Sequence, residues 1–313
     1  MPGFDVMSCE FAHDGLCATD VELRDHVADV HVPKVSCWFG RPSDRGALQV
    51  LPRLKGLLIR LLGENVTATL HSLRFAYRIR FVDPVEPDLA IVARFLSAGD
   101  CVVDVGANGA DWSAVLARAV GRGGRVFAFE ADPYYARVTR RALIISGLRR
   151  VEVFGFGLSN ADTDGHLQVV FDDGLRAAGL GQLVARESVN TVPIALRRLD
   201  SVLAEIGRGQ SPRLIKCDVE GHERQVLEGA IGCLASRPIV IAELYHLGLA
   251  SDTSADVSSF LSPLGYRTFV VNEERTSLVP EETYRNIPEF PNRWFLAEAD
   301  VEHFRRKGLL TES

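Results

Sequence analysis

From Glu86 onward, short apolar runs alternate with stretches of helical periodicity, and that alternation restricts the chain to a small set of folds. PDLAIVARFLSAG reads as a helix closed by Gly99, and CVVDVG as a continuous apolar strand. DWSAVLARAVG is helical, RVFAFE a strand, and DPYYARVTRRALIISG a helix ending at Gly147. VEVFGFG and LIKCDV read as strands, GHERQVLEGAIGCL as a helix, PIVIAEL as a strand and SADVSSFLSPLG as a helix. YRTFVV and RWFLAEA close the series as strands. Strands separated by helices of this length form parallel βαβ units covered on both faces. No helix separates the last two strands, so the final one can enter antiparallel.

Two regions depart from the alternation. Between about 160 and 200, GHLQVVFDDG and GQLVARESVNTVPIALRRLDSVL contain two alternating runs around a Gly-rich stretch, which reads as an inserted β-hairpin before a helix that Asp200 can cap. Residues 1–85 form an amino-terminal extension to a main domain at 86–313, and a role as substrate lid or oligomerisation element is expected for it. Pro33, Pro42 and Pro52 interrupt it, LPRLKGLLIRLLGENV reads as an amphipathic helix, and FAYRIRFV alternates as a half-exposed strand that Asp83-Pro84 ends.

A net charge of −6 gives the 313-residue chain no basic field for nucleic acid or anionic lipid, so neither is expected as a partner. The opening MPGFDVMSCEFAHDGLCATD has no uninterrupted apolar core behind a basic end, and no later run approaches the ~20 residues of a membrane span, so the cytoplasm is the expected location. The cysteines, Cys9, Cys17, Cys37, Cys101, Cys217 and Cys233, contain no CxxC pair and suit reduced thiols. Cys9, His13 and Cys17 recur every four residues with His26, His31 and Cys37 nearby, but the spacing matches no zinc motif and the expectation is unrelated side chains.

VVDVGANGADW places Asp104 at a strand end, Gly106 and Gly109 in the following turn, and a helix from about Asp111. Such glycines let backbone approach a ligand, and the helix start offers free N–H groups. One strand later Glu130 ends RVFAFE, where its carboxylate can accept both ribose hydroxyls of a nucleoside. Dinucleotide dehydrogenases share this order, but their GxGxxG turn has a glycine where this chain has Asn108. A carboxylate beside the loop suits a cationic methionyl amino group and repels a diphosphate, which favours S-adenosylmethionine over NAD.

A second group of charges closes the strand LIKCDV. Asp218 falls at its end, where ligands of open parallel sheets bind. Glu220 and Glu223 follow three apart, although first-turn acids are also favoured by the helix dipole. Lys216 stands out by composition: 31 of 35 basic residues are arginine, and it is the only lysine between Lys55 and Lys307. A compact ammonium there can neutralise a carboxylate or orient a substrate oxygen.

In order, DVGANGADWSA, FAFEADP, GLSNADTDG, LDSVL, IKCDVEGHERQVLEGA and IVIAEL resemble the motifs of FkbM-family S-adenosylmethionine-dependent methyltransferases, over about Glu86 to Glu298. The IKxDVEGxE block is the most specific of them. The resemblance implies an α/β, Rossmann-like class I methyltransferase fold: a seven-stranded, mostly parallel sheet with an antiparallel last strand and helices on both faces. It also implies O-methylation of a hydroxyl on a sugar or other small secondary metabolite. An arginine-heavy composition fits a high-GC bacterial genome and a natural-product pathway.

Carried across, Asp104, Gly106, Ala107 and Asn108 would hold the methionyl end of the cofactor, Glu130 with Ala131 the ribose, and Asp132 and Ser159 the adenine edge. Asp218, Glu220 and Glu223 would face the reaction, with Lys216 and Glu243 beneath or beside them. His222 stands where the family has a small residue, and ELYH adds His246 after the fifth strand. Asp218 or Glu220 is the expected general base, with His222 and His246 as other candidates. No metal is called for, although the acids could hold magnesium. A homodimer is open, and the alternatives are a nicotinamide-dependent dehydrogenase and a catalytically silent methyltransferase-like binding protein.

Overall fold

The computed structural model describes residues 50–82, 86–169, 181–184, 186–206, 210–244, 254–283 and 292–311, with side chains from 63 onward except 254 and 255. They lie almost wholly in the second of two compact units, Pro52–Ser313. His246 and the potential zinc ligands Cys9, His13, Cys17, His26, His31 and Cys37 fall outside the described residues.

A long helix, α1 (Val50–Phe81), precedes α2 (Pro87–Phe95), and then strands and helices alternate: β1 (Cys101–Val105), α3 (Asp111–Ala119), β2 (Arg125–Phe129), α4 (Pro133–Ile145) and β3 (Val151–Phe154). Short strands follow as β4 (Gly157–Leu158), β5 (Thr163–Gln168), β6 (Gln182–Val184) and β7 (Thr191–Arg197). Alternation resumes with α5 (Leu199–Ile206), β8 (Leu214–Cys217), α6 (Glu223–Glu228), α7 (Ile231–Leu234), β9 (Ile239–Glu243) and α8 (Ser254–Leu261). The series ends with β10 (Tyr266–Val271), β11 (Leu278–Pro280), β12 (Asn292–Ala297) and α9 (Glu298–Arg306).

The main sheet runs β11-β10-β12-β9-β8-β1-β2-β3. β9, β8, β1, β2 and β3 are parallel, and β12 enters antiparallel between β9 and β10, as the missing helix before it predicts. One short strand, β11, extends the expected seven to eight by pairing antiparallel with β10. Every residue of β1 and β8 is buried, because side chains of both pleat faces meet helices. Val102, Val126, Leu214 and Ile241 pack with α2, α3, α4 and α9 on one side. Val103, Phe127, Ile215 and Val240 pack with α5 to α8 on the other. Gly99 and Gly147, predicted as helix stops, adopt left-handed φ of 98° and 79°.

Five expectations require correction. FAYRIRFV is the end of α1 rather than a strand: Ser72, Ala76 and Ile79 recur at helical spacing and are buried, which the period-2 alternation of Arg78 and Arg80 concealed. The stretch VEVFGFG leaves the main sheet after β3, and its Gly157 starts β4 in a second sheet. That sheet, ordered β4-β7-β5-β6, is larger than the expected hairpin. GHERQVLEGAIGCL breaks into α6 and α7 at Gly229, where a Cβ would lie 2.0 Å from the Ser159 carbonyl oxygen. Asp200 accepts hydrogen bonds from the Gly232 and Cys233 amides at 2.8 and 2.9 Å, so it caps α7 instead of its own helix.

The inner side of α1 rests on the turn after β1 and on α4. Phe75 lies against Gly109, His71 Nδ1 hydrogen-bonds the Tyr134 hydroxyl at 2.9 Å, and Arg78 pairs with Asp111.

Candidate active site

Strand order reverses at β1, whose neighbours are β8 and β2, and an open sheet forms its ligand crevice at such a point. Three walls enclose a cleft of about 770 Å³ including its open mouth, within the size range of small-molecule sites.

The first wall is the turn after β1. Gly106 has φ 82°, and a Cβ on it would fall 1.7 Å from the Asp218 carbonyl oxygen, so only glycine admits this approach. The Gly106 and Ala107 amides donate to the Phe129 carbonyl at 2.9 and 3.0 Å, tying the turn to the end of β2. Asn108 continues it at φ 35° and donates its amide to Glu130 Oε2 at 2.9 Å. Glu130 Oε1 accepts the Asp132 amide at 2.8 Å. Burial pushes the Glu130 carboxyl up to about 7 against those two hydrogen bonds. Glu130 lines the cleft, and a carboxylate has acceptor capacity beyond these two hydrogen bonds.

The second wall is the loop after β8. Asp218, Val219, Glu220 and His222 line it, and Glu220 holds a left-handed φ of 56°. Glu223 shapes this loop from behind: it is 1% exposed, and its Oε1 accepts the Val219 and Gly221 amides at 3.0 and 3.2 Å. Burial raises Glu220 to about 7, reinforced by the negative charges of Asp218 and Glu223 and opposed by Lys216. His222 Nε2 hydrogen-bonds Ser159 Oγ at 2.9 Å, and burial lowers its pKa. The third wall is apolar, with Phe156 and Leu158 joined by Leu167, Leu183 and Leu196 of the small sheet.

Beneath the second wall lies Lys216, 1% exposed, its Nζ 3.4 Å from Asp218 Oδ2 and 5.1 Å from the centre of a Trp112 ring. Among the described residues Nζ has no hydrogen-bond partner. Burial works against its charge, but Asp218, Glu243, Glu86 and Asp104 together raise its pKa above the usual lysine value. Asp104, 1% exposed and hydrogen-bonded by Ser113, rises to about 6 through burial, with Ser113 and Lys216 opposing. Glu86 accepts Trp112 Nε1 at 2.8 Å, and Asp88 accepts Trp294 Nε1 at 2.6 Å. Burial raises both carboxyls.

Of the residues expected from sequence, Gly106, Asn108, Glu130, Ala131, Asp132, Asp218 and Glu220 line the cleft. Asp132 also caps α4 by accepting the Tyr134 amide at 2.8 Å. Asp104, Lys216 and Glu223 are buried behind the walls, Ser159 supports His222, and Ala107 contributes its amide. Glu243 ends β9 opposite Asn292 and reaches the site through its charge on Lys216. Sequence reasoning missed the acids Glu86 and Asp88, which read only as the polar start of a helix, and the leucines of the third wall. Among the described residues no group of three or more His, Cys, Asp or Glu is arranged to hold a metal ion.

A curated relative, the hexuronic acid methyltransferase AglP of Haloferax volcanii, is 26% identical over 220 residues, covering 70% of this chain and 85% of the relative. The solved methyltransferase FkbM of Methylobacillus flagellatus is 18% identical with a TM-score of 0.43; the match covers 64% of this chain and 44% of that one, so less than half of its length. An S-adenosylmethionine-dependent O-methyltransferase of Thermotoga maritima is 15% identical, with a TM-score of 0.39 and 71% of each chain covered. The family model for the methyltransferase FkbM domain matches residues 104–268, from the end of β1 into β10 and thus through both charged walls. This chain belongs to the FkbM methyltransferase family.

Proposed function

We propose that the protein transfers the methyl group of S-adenosylmethionine to a hydroxyl oxygen of a sugar-related small molecule, with Glu220 as general base. The observation that carries this reading is the pairing of walls: a ribose-competent Glu130 on one side of the cleft and the Asp218–Glu220 loop on the other. The residues fit the cofactor. Gly106 lets the turn after β1 close directly on the Asp218 carbonyl at the cleft, and among the described residues Asn108 Oδ1 is buried without a hydrogen-bond partner, an acceptor suited to an ammonium or hydroxyl donor. When bound, S-adenosylmethionine supplies a methyl group already activated on a sulfonium.

Gly106, Asn108 and Glu130 bind and orient; positioning of this kind supplies up to about 7–11 kcal/mol in favourable cases. Asp218, its charge balanced by Lys216, orients the acceptor oxygen. Glu220, raised to about 7, takes the acceptor proton, since a base is most effective with a pKa near the working pH. The leucine wall excludes water. The sugar class follows from the AglP relative, whose name specifies a hexuronic acid. A hydroxyl acceptor fits a positioned base, because it carries a proton for Glu220 to take, which an already ionised carboxylate acceptor does not.

Calorimetric titration tests the cofactor assignment. S-adenosylmethionine is expected to bind and NAD to give no heat; Glu130→Gln should weaken the former about 10-fold, on the scale of hydrogen bonds to a charged acceptor. Binding of NAD in place of the sulfonium compound refutes the reading. Turnover with neutral hexosides should be undiminished by EDTA, and a dependence on added magnesium would transfer the base's role to a bound cation.

A further inference from the structure

Helix α1 buries its small residues and exposes its large ones. Beyond Gly63, where the helix breaks with φ 74°, the inward positions are Thr67, Ala68, Ser72, Ala76 and Ile79. Outward stand Val66, Leu70, Leu73, Tyr77 and Phe81 at 45, 50, 50, 61 and 67% exposure, continued by Val82 at 49%. Steps of four, three, four and four residues place them on one face. A helix stabilised only by its own protein would be patterned the other way round.

The charge of α1 is equally one-sided. Arg53, Lys55, Arg60, Arg74, Arg78 and Arg80 stand against Glu64 alone, in a chain whose net charge is −6. Glu64 is engaged by Arg137 of α4 and Arg78 by Asp111, while Arg74 and Arg80 are exposed beside the apolar stripe.

We propose that this face of α1 docks on an anionic lipid surface, the helix lying in the interface with its leucines and aromatic rings among the headgroups and its arginines against their phosphates. A second copy of the same face is the poorer occupant, because pairing two helices of one sign sets arginine against arginine. No helix among the described residues is long and apolar enough to cross a membrane, and the proposed attachment is through the outer face of α1 alone. The net charge of the whole chain hides this surface; only the division of α1 into a packed and an exposed side reveals it. The inference stands apart from the methyl-transfer reading.

Flotation of the full chain with vesicles tests it. Binding is expected to phosphatidylcholine vesicles containing about 30% phosphatidylglycerol, to be weak with phosphatidylcholine alone, and to fall with added salt. The double variant Leu70→Glu/Tyr77→Glu should lower partitioning about tenfold or more, and Arg74→Glu/Arg80→Glu should remove the preference for the anionic lipid, both with unchanged circular dichroism and thermal unfolding. No binding to either vesicle, or equal binding by the variants, overturns the proposal. So does light scattering that shows a dimer which Leu70→Glu/Tyr77→Glu splits, since the face is then an interface between copies.

Discussion

Glu220→Gln is expected to lower kcat by about 10²–10⁴-fold while leaving S-adenosylmethionine affinity within a few-fold of wild type, the range that loss of a positioned general base produces. Only the ionised carboxylate accepts a proton, so wild-type activity falls as pH drops through the pKa of Glu220, about 7 in the free protein. A bound sulfonium favours the anion, so the limb measured at saturating cofactor should lie below the limb for the free enzyme. Glu220→Gln removes that limb altogether. Misfolding is not an available explanation for the loss. The folded protein raises Glu220 above the ordinary 4.5, so this group's contribution to stability is complete below about 4.5 and is lost as pH rises toward 7. At pH 8 the glutamine variant should therefore melt no lower than wild type. Normal turnover in Glu220→Gln would return the base to Asp218.

Lys216→Met is expected to destabilise the protein by about 3–5 kcal/mol at pH 8, the usual cost of removing one partner from a buried ion pair. The cause is the surrounding negative charge: Asp218 at 3.4 Å, with Asp104, Glu86 and Glu243 in its field. The pKa of Lys216 is raised above the ordinary 10.5, so its contribution is complete throughout the neutral range and lost only in strong alkali. Without the ammonium the acids protonate more readily. The deficit should therefore shrink toward pH 5, and urea unfolding at several pH values would show this. Arginine should not rescue the variant, because a planar guanidinium cannot replace a compact ammonium in a position 1% exposed against Trp112. A deficit independent of pH would mean that Lys216 serves by packing alone.

The strands of the main sheet were legible because burial on both faces leaves uninterrupted apolar runs, as in CVVDV and LIKC. The place of Gly106 and Glu130 in the cleft lining was legible because the pattern is local: a glycine turn at one strand end and an acid at the end of the next. The division of labour among the acids was not. Glu220 and Glu223 look alike in sequence, yet a left-handed backbone at Glu220 turns one to the cleft while the other binds the Val219 and Gly221 amides. Glu86 and Asp88 are more than a hundred residues from Lys216, and tertiary packing joins them to its surroundings: both meet β12 through Trp294 or Asn292, and Glu86 also accepts from Trp112, which lies beside Lys216. The end of α1 was misread because a run as short as the eight residues of FAYRIRFV can satisfy both periodicities, and the body it packs against decides between them.

The contact between Gly106 and the Asp218 carbonyl has a consequence for traffic through the site. With no side chain between them, and with the Asp218 amide donating to the Val105 carbonyl at 3.0 Å, the first and second walls of the cleft are joined directly to each other. They cannot part to admit or release a ligand without breaking the central sheet. The remaining wall belongs to a separate sheet joined through Gly155 and Gly157, and it carries the apolar side chains that a departing nucleoside would have to pass. On the proposed reading, the path of a methyl donor into and out of the cleft is set by β5, β6 and β7, whose described residues in the cleft lining, Leu167, Leu183 and Leu196 with the adjoining Gly181, carry no ionisable group.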